Sequence, residues 1–186
     1  MKNICFYLLL LISAYSFSQS KFSIEANFPI PIGNNFLNQN FDGVVDLGLK
    51  YRFINAKIIN IGTSFNGGIL QDDSNQSLGT NALAFTLQPK IFAELNLFLT
   101  KFRPFIELGY SFLIFNVDVA TGLNNFTSNN TEGGFNVNFG LAFNIIKKLF
   151  LQVQYDFIRL DADNNFANTA FNRSLGIIKL GLGLRL

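Results

Sequence analysis

Histidine is absent from the 186 residues. That removes a Ser-His-Asp triad, histidine-dependent deacylation and proteolysis, and imidazole metal sites. Carboxylates are the remaining candidates, and the closest pairs are Asp72-Asp73 and Asp161-x-Asp163. Glycoside hydrolysis needs two carboxyls about 5–9.5 Å apart across a cleft, and Asn-rich loops are poor platforms for such a cleft. These acids read as solvated loop residues. Asp161, Asp163 and Asn165 match the first three positions of a calcium loop, but Phe166 stands where that loop turns on glycine. "LGLGLRL" at the end of the chain puts its glycines on one strand face with no helix to follow, so it is no dinucleotide fingerprint. The triplets at Asn125, Asn129 and Asn172 match glycosylation acceptors by chance. The expectation is a protein without catalytic residues, cofactor or metal.

The elements that carry these residues follow from composition and periodicity. Hydrophobic residues make up 49% of the chain and charged residues 14%, whereas a soluble domain carries about 25% charged residues. Phe occurs 23 times and Trp not at all. A net charge of +2 without a basic run interleaved with aromatics excludes nucleic acid. Lys2, the apolar run "ICFYLLLLISAY" and Ser16-Phe17-Ser18 form a secretory signal peptide over 1–18. Its apolar run is shorter than the roughly 18–20 residues a spanning helix needs. The mature domain is expected over 19–186, without a thiol, because Cys5 leaves with the signal.

After the signal, the chain shows period-two segments and no sustained helical pattern. "GFNVNFGLAFN" is typical, with Phe135, Val137, Phe139, Leu141 and Phe143 at alternate positions. Strands are expected near 21–28, 44–53, 58–67, 83–94, 104–115, 134–145, 149–158 and 175–186. Pro89 predicts a bulge near Gln88–Lys90 and leaves the phase of Phe92 to Leu95 open. "YSFLIF" (110–115) is apolar on both faces, so either Leu113 fills an interior or the strand outruns a membrane. Long polar connections fall at 29–43, 68–82, 116–133 and 159–174, and short turns alternate with them. That asymmetry belongs to outer-membrane barrels, whose short turns are periplasmic.

The greasy face is assigned by volume. Roughly forty bulky apolar side chains cannot enter an eight-stranded barrel, whose interior is just wide enough for side chains or one small ligand. They must face lipid. The opposite face carries Glu25, Asp46, Glu107 and Asp156 with Lys50, Arg52, Lys90, Lys179 and Arg185, and Glu94 at a strand end. Near-balanced charges of this kind suit a paired network inside the barrel, since each Lys or Arg on the lipid face would cost about 2–4 kcal/mol at the midplane. The loops carry Asp42, Asp72, Asp73, Asp118, Glu132, Asp161 and Asp163, with Arg159 and Arg173 as exceptions. Lys57, Lys101, Arg103, Lys147 and Lys148 lie in the short turns, so the external end is expected to be acidic and the periplasmic end basic.

With these alternations the chain resembles the small eight-stranded outer-membrane barrels of Gram-negative bacteria, similar in plan to the OmpX and OmpA transmembrane domains. Its Asn- and Phe-rich composition and "SFSQ" cleavage region resemble the outer-membrane β-barrel family common in Bacteroidetes. The resemblance covers 19–186 and implies an all-β, eight-stranded antiparallel up-and-down transmembrane barrel. It also implies outer-membrane lipid and the barrel-assembly machinery as partners. Such barrels usually end in an aromatic residue, and Leu186 departs from that pattern. The expected role is structural or surface-interacting, for a monomer with a closed polar interior and an unknown extracellular ligand at its four long loops. A narrow pore or hydrophobic-ligand conduit is the first alternative, and a soluble secreted ligand-binding barrel the second.

Overall fold

The computed structural model describes residues 21–56, 58–72, 80–97, 101–121, 124–161 and 169–186. The expected signal peptide lies outside these residues. Eight strands, β1 (Phe22–Ile32), β2 (Phe41–Asn55), β3 (Ile59–Asp72), β4 (Thr80–Leu95), β5 (Phe102–Thr121), β6 (Asn124–Asn144), β7 (Leu149–Leu160) and β8 (Ser174–Arg185), form a closed barrel. Every neighbour pair is antiparallel, and β1 closes on β8 from Ser23↔Arg185 to Ile32↔Gly176. Closure leaves no strand edge in the barrel wall, as a bilayer requires. Two short helices interrupt the long connections, α1 (Phe36–Asn40) and α2 (Ala170–Arg173).

Alternation decides the two faces. Leu47, Leu49, Tyr51 and Phe53 of β2 are exposed, while Asp46, Lys50 and Arg52 between them are buried. The same contrast separates Leu180, Leu182 and Leu184 from Lys179 and Arg185 on β8. Outward apolar residues ring the molecule, with Leu47 59% and Ile91 58% exposed. At the short-turn end, Phe22 packs on Tyr51 (4.8 Å between ring centroids) and Phe102 on Phe143 (5.1 Å). Aromatic residues at such a level are the elements of the girdles that flank the apolar band of transmembrane barrels.

Several strands run further than periodicity indicates. The expected loop at 116–133 is mostly ladder, since β5 and β6 pair from Phe102↔Phe143 out to Thr121↔Asn124. Asn, Ser and Gly obscured it because the search was for apolar alternation, whereas polar strands outside lipid need only cross-strand hydrogen bonds. Asp42 and Asp72, expected in loops, likewise stand in β2 and β3. Arg103, expected in a turn, stands in β5 opposite Ala142.

Proline acts differently in β1 and in β4. Pro29 and Pro31 were expected in a loop, yet β1 continues through both. Its β8 pairing reaches Ile32, whereas its β2 pairing ends at Asn27↔Asp46. Two prolines at alternate positions remove N–H groups along one edge only. Pro89 produces no bulge. Its β3 register is unbroken at Phe65↔Pro89, and the β5 register is the same at Leu87↔Phe112 and Lys90↔Gly109 on either side of a gap. The phase therefore holds, with Phe92 and Glu94 inward and Leu95 outward. The register shifts that do occur lie in β2, between Gly43 and Val45 and between Arg52 and Ile54. The second leaves Phe53 and Ile54 both exposed.

Candidate functional site in the barrel lumen

The lumen is filled in layers. In its middle, Lys179 of β8 donates to Asp46 Oδ2 of β2 (2.9 Å) and Gln88 Oε1 of β4 (2.8 Å), and pairs with Asp156 Oδ2 of β7 (3.1 Å). Asp46 also accepts from Asn27 (3.0 Å) and Asn66 (2.9 Å), and Asp156 from Asn136. A second group joins the first through Asn27. Lys50 bridges Glu25 (3.0 Å) and Glu107 (2.9 Å), Lys90 reaches Glu107 (2.6 Å), and Gln152 donates to Glu25 (2.9 Å) and to Asn27 Oδ1 (2.7 Å). Alternation on strands that surround one narrow space brings together residues distant in sequence, and every charge gains a partner that offsets its desolvation.

Toward the short turns lies a third cluster. Glu94 receives Arg52 (3.3 Å), Arg103 (3.2 Å) and Asn60 (2.9 Å), and Arg185 stands 3.5 Å away. Arg52 also donates to Ser23 Oγ (2.6 Å) and Arg185 to Asn144. The structure thus places Arg52 and Arg185 with Glu94, apart from the Lys50 and Lys179 groups. All nine residues of the expected interior set, Glu25, Asp46, Lys50, Arg52, Lys90, Glu107, Asp156, Lys179 and Arg185, are buried.

Between the second and third clusters sits an aromatic belt, in which the open phase of Phe92 resolves inward and Phe105 and Phe150, not singled out by apolar alternation, join it. Phe92, Phe105 and Phe150 are inside the barrel. Each faces a glycine on the neighbouring strand, in the register pairs Gly62↔Phe92, Phe105↔Gly140 and Phe150↔Gly183. A Cβ on Gly140 or Gly183 would stand 2.1 Å from the opposing ring. The rings carry cations on their faces, Lys50 Nζ at 4.0 Å from the Phe105 centroid and Arg185 at 4.2 Å from that of Phe150. The missed clue was phase, since Phe105 alternates with Glu107, and Phe92 with Lys90 and Glu94.

The long-loop end is apolar, which corrects the expectation of a polar interior throughout. Leu37, Phe41, Leu70, Ala84, Leu113 and Phe115 pack there with Ile158, Leu160, Leu175 and Ile177. Leu113 thus fills the interior, and β5 also runs on past it to Thr121. Leu37 comes from α1, where the left-handed Gly33 (φ +90°) turns the chain and the Asn35 side chain accepts from Asn38 N–H at 3.0 Å. Phe36 packs edge-on against Phe41 and Phe115, each at 5.9 Å. Close by, Glu132 is buried and accepts from Asn130 (2.8 Å), and Tyr110 donates its hydroxyl to Asp161. Asp73, Asp163 and the Asp118 side chain lie outside the described residues, so neither carboxylate pair can be built. Among the described residues, no group of three His, Cys, Asp or Glu side chains could hold a metal.

The sequence matches the family described as "Outer membrane protein beta-barrel domain" over residues 4–178. The chain belongs to that family. No curated protein matches it. Among solved structures, Neisserial surface protein A superposes with a TM-score of 0.61 at 14% identity, covering 89% of this chain and 97% of that one. Ail of Yersinia pestis, in complex with the heparin analogue sucrose octasulfate, gives 0.61 at 14% identity over 89% and 96%. The N-terminal β-barrel domain of Pseudomonas aeruginosa OprF gives 0.57 at 12% identity over 90% and 98%. At these identities the likeness is one of fold: an eight-stranded antiparallel outer-membrane barrel.

Proposed function

We propose that this protein is a closed outer-membrane barrel that performs a structural or surface-interaction role through its long-loop end. The observation that carries this reading is the filled lumen. Among the described residues, an apolar plug, two linked charge groups, three inward phenylalanines and an arginine cluster follow one another along the axis, which favours a closed lumen over a pore. The short-turn end faces the periplasm in this reading and the long-loop end the exterior. There the β5–β6 ladder continues to Asn124, while β6 pairs with β7 only from Gly134 inward. The hairpin thus outruns β7, while β4 accompanies β5 out to Thr80↔Val119, and function on a rigid scaffold concentrates at such an end.

Acids outnumber bases among the residues of that end, which serves solubility first; if the end meets a partner, its charge favours a cation or a basic surface. This differs from Ail, which was crystallised with a sulfated, anionic ligand. Cleavage after Ser18, a monomeric state, and the OmpX- and OmpA-like plan with a Bacteroidetes-type composition belong to the same reading.

Planar-bilayer recording tests closure. The expected result is no unit conductance, and stable unitary steps would favour the pore reading instead. Recovery in the detergent-free soluble fraction would favour the soluble barrel. A pull-down with detergent-folded protein, against a form with shortened long loops, tests the working end: identical captures would remove the loops from the function.

A further inference from the structure

The short-turn end carries more positive charge than its own carboxylate balances. Arg52, Arg103 and Arg185 converge on Glu94. Among the described residues of the short turns, Lys101, Lys147 and Lys148 add further positive charge and no Asp or Glu accompanies them. Arg52 and Arg185 are 2% and 3% exposed, and surplus charge at that depth is costly without a counter-ion. Their donors are also incompletely used. Arg52 Nε and Arg185 Nε make no hydrogen bond, and Arg185 Nη2, 3.5 Å from Glu94, lacks hydrogen-bond alignment. Arg103 engages Glu94 through Nη1, and its side chain is 24% exposed at the mouth. The Phe150 ring lies under the Arg185 guanidinium, 4.2 Å from ring centroid to Cζ.

We propose that the short-turn mouth binds a small phosphate-type oxyanion, held by Arg103 and Arg185 with Arg52 behind them. Guanidinium forks match the oxygen spacing of phosphate, their charge-assisted hydrogen bonds are the strong class, and the basic rim concentrates anions at the opening. The site lies at the opposite end of the barrel from the proposed interaction surface and stands whether or not the loops bind anything.

The test uses the full mature chain folded in maltoside micelles, a phosphate-free detergent. Inorganic phosphate is titrated at constant ionic strength while the arginine Nε–H resonances are followed by NMR. Saturable shifts of Arg185 and Arg103 are expected. Arg103→Gln should weaken binding about tenfold or more, and Glu94→Gln, which removes the competing carboxylate, should tighten it. Lys147→Gln with Lys148→Gln, which changes rim charge alone, should change affinity less than Arg103→Gln. Folding of each variant is checked by heat-modifiable gel migration. A parallel arm places the protein in phosphatidylglycerol nanodiscs without free phosphate. The same shifts arising only there support the same chemistry supplied by a lipid headgroup. Linear, unsaturable shifts in both arms, or equal affinity for Arg103→Gln and the parent, overturn the proposal.

Discussion

The middle of the lumen and its long-loop end fill the same cylinder by opposite means. In the middle, Lys179 ties β8 to β2, β4 and β7, while Lys50 ties β2 to β1 and β5. At the loop end, shape replaces charge, and Leu37 is delivered by a helix of five residues. A helix that short has no stability of its own. Its order depends on the Gly33 turn, the Asn35 cap and the apolar residues beneath it. The charged middle belongs to the closed barrel as a whole, whereas α1, which contributes no ladder, is expected to open locally.

Substitutions at Lys179, at Gly140 with Phe105, and at Leu37 sharpen this contrast. Lys179→Met removes the cation shared by Asp46 and Asp156 and leaves two buried carboxylates. We expect a global loss of about 3–5 kcal/mol, read as a shifted midpoint in urea unfolding of the lipid-reconstituted barrel. An unchanged midpoint would mean that water reaches these groups. Gly140→Ala drives a methyl into the Phe105 ring and should cost about 1–3 kcal/mol. Combined with Phe105→Leu it should cost less than the sum of the two single changes, because the smaller side chain yields space. Strict additivity would show that the ring and the glycine do not share that space.

Leu37→Ala is expected to be the mildest globally. Its effect should appear as faster hydrogen exchange at α1, with the global midpoint moved by less than about 1 kcal/mol. A global loss as large as that of Lys179→Met would erase the distinction between the two regions. Unit conductance in the Leu37→Ala variant would show that the plug, and not the layers beneath it, closes the barrel.

Much of this was legible in the chain. Period-two alternation locates all eight strands, and the charges sharing one phase, Asp46 with Lys50 and Arg52 for example, mark the inward face. The limits were physical. Strand ends outside lipid carry no apolar alternation, so the β5–β6 ladder looked like a loop. Arg103 looked like a turn residue because its partner Glu94 lies on another strand.

The sequence by itself determined that this is a barrel with a lipid-facing surface, because side-chain alternation is local and a bilayer allows charges on one face only. The tertiary structure alone decided how the interior is partitioned. Which phenylalanine meets a glycine, which lysine meets two carboxylates and which arginines gather on Glu94 depend on interstrand register and barrel closure. Those are set by the packing of all eight strands together, so no single segment encodes them.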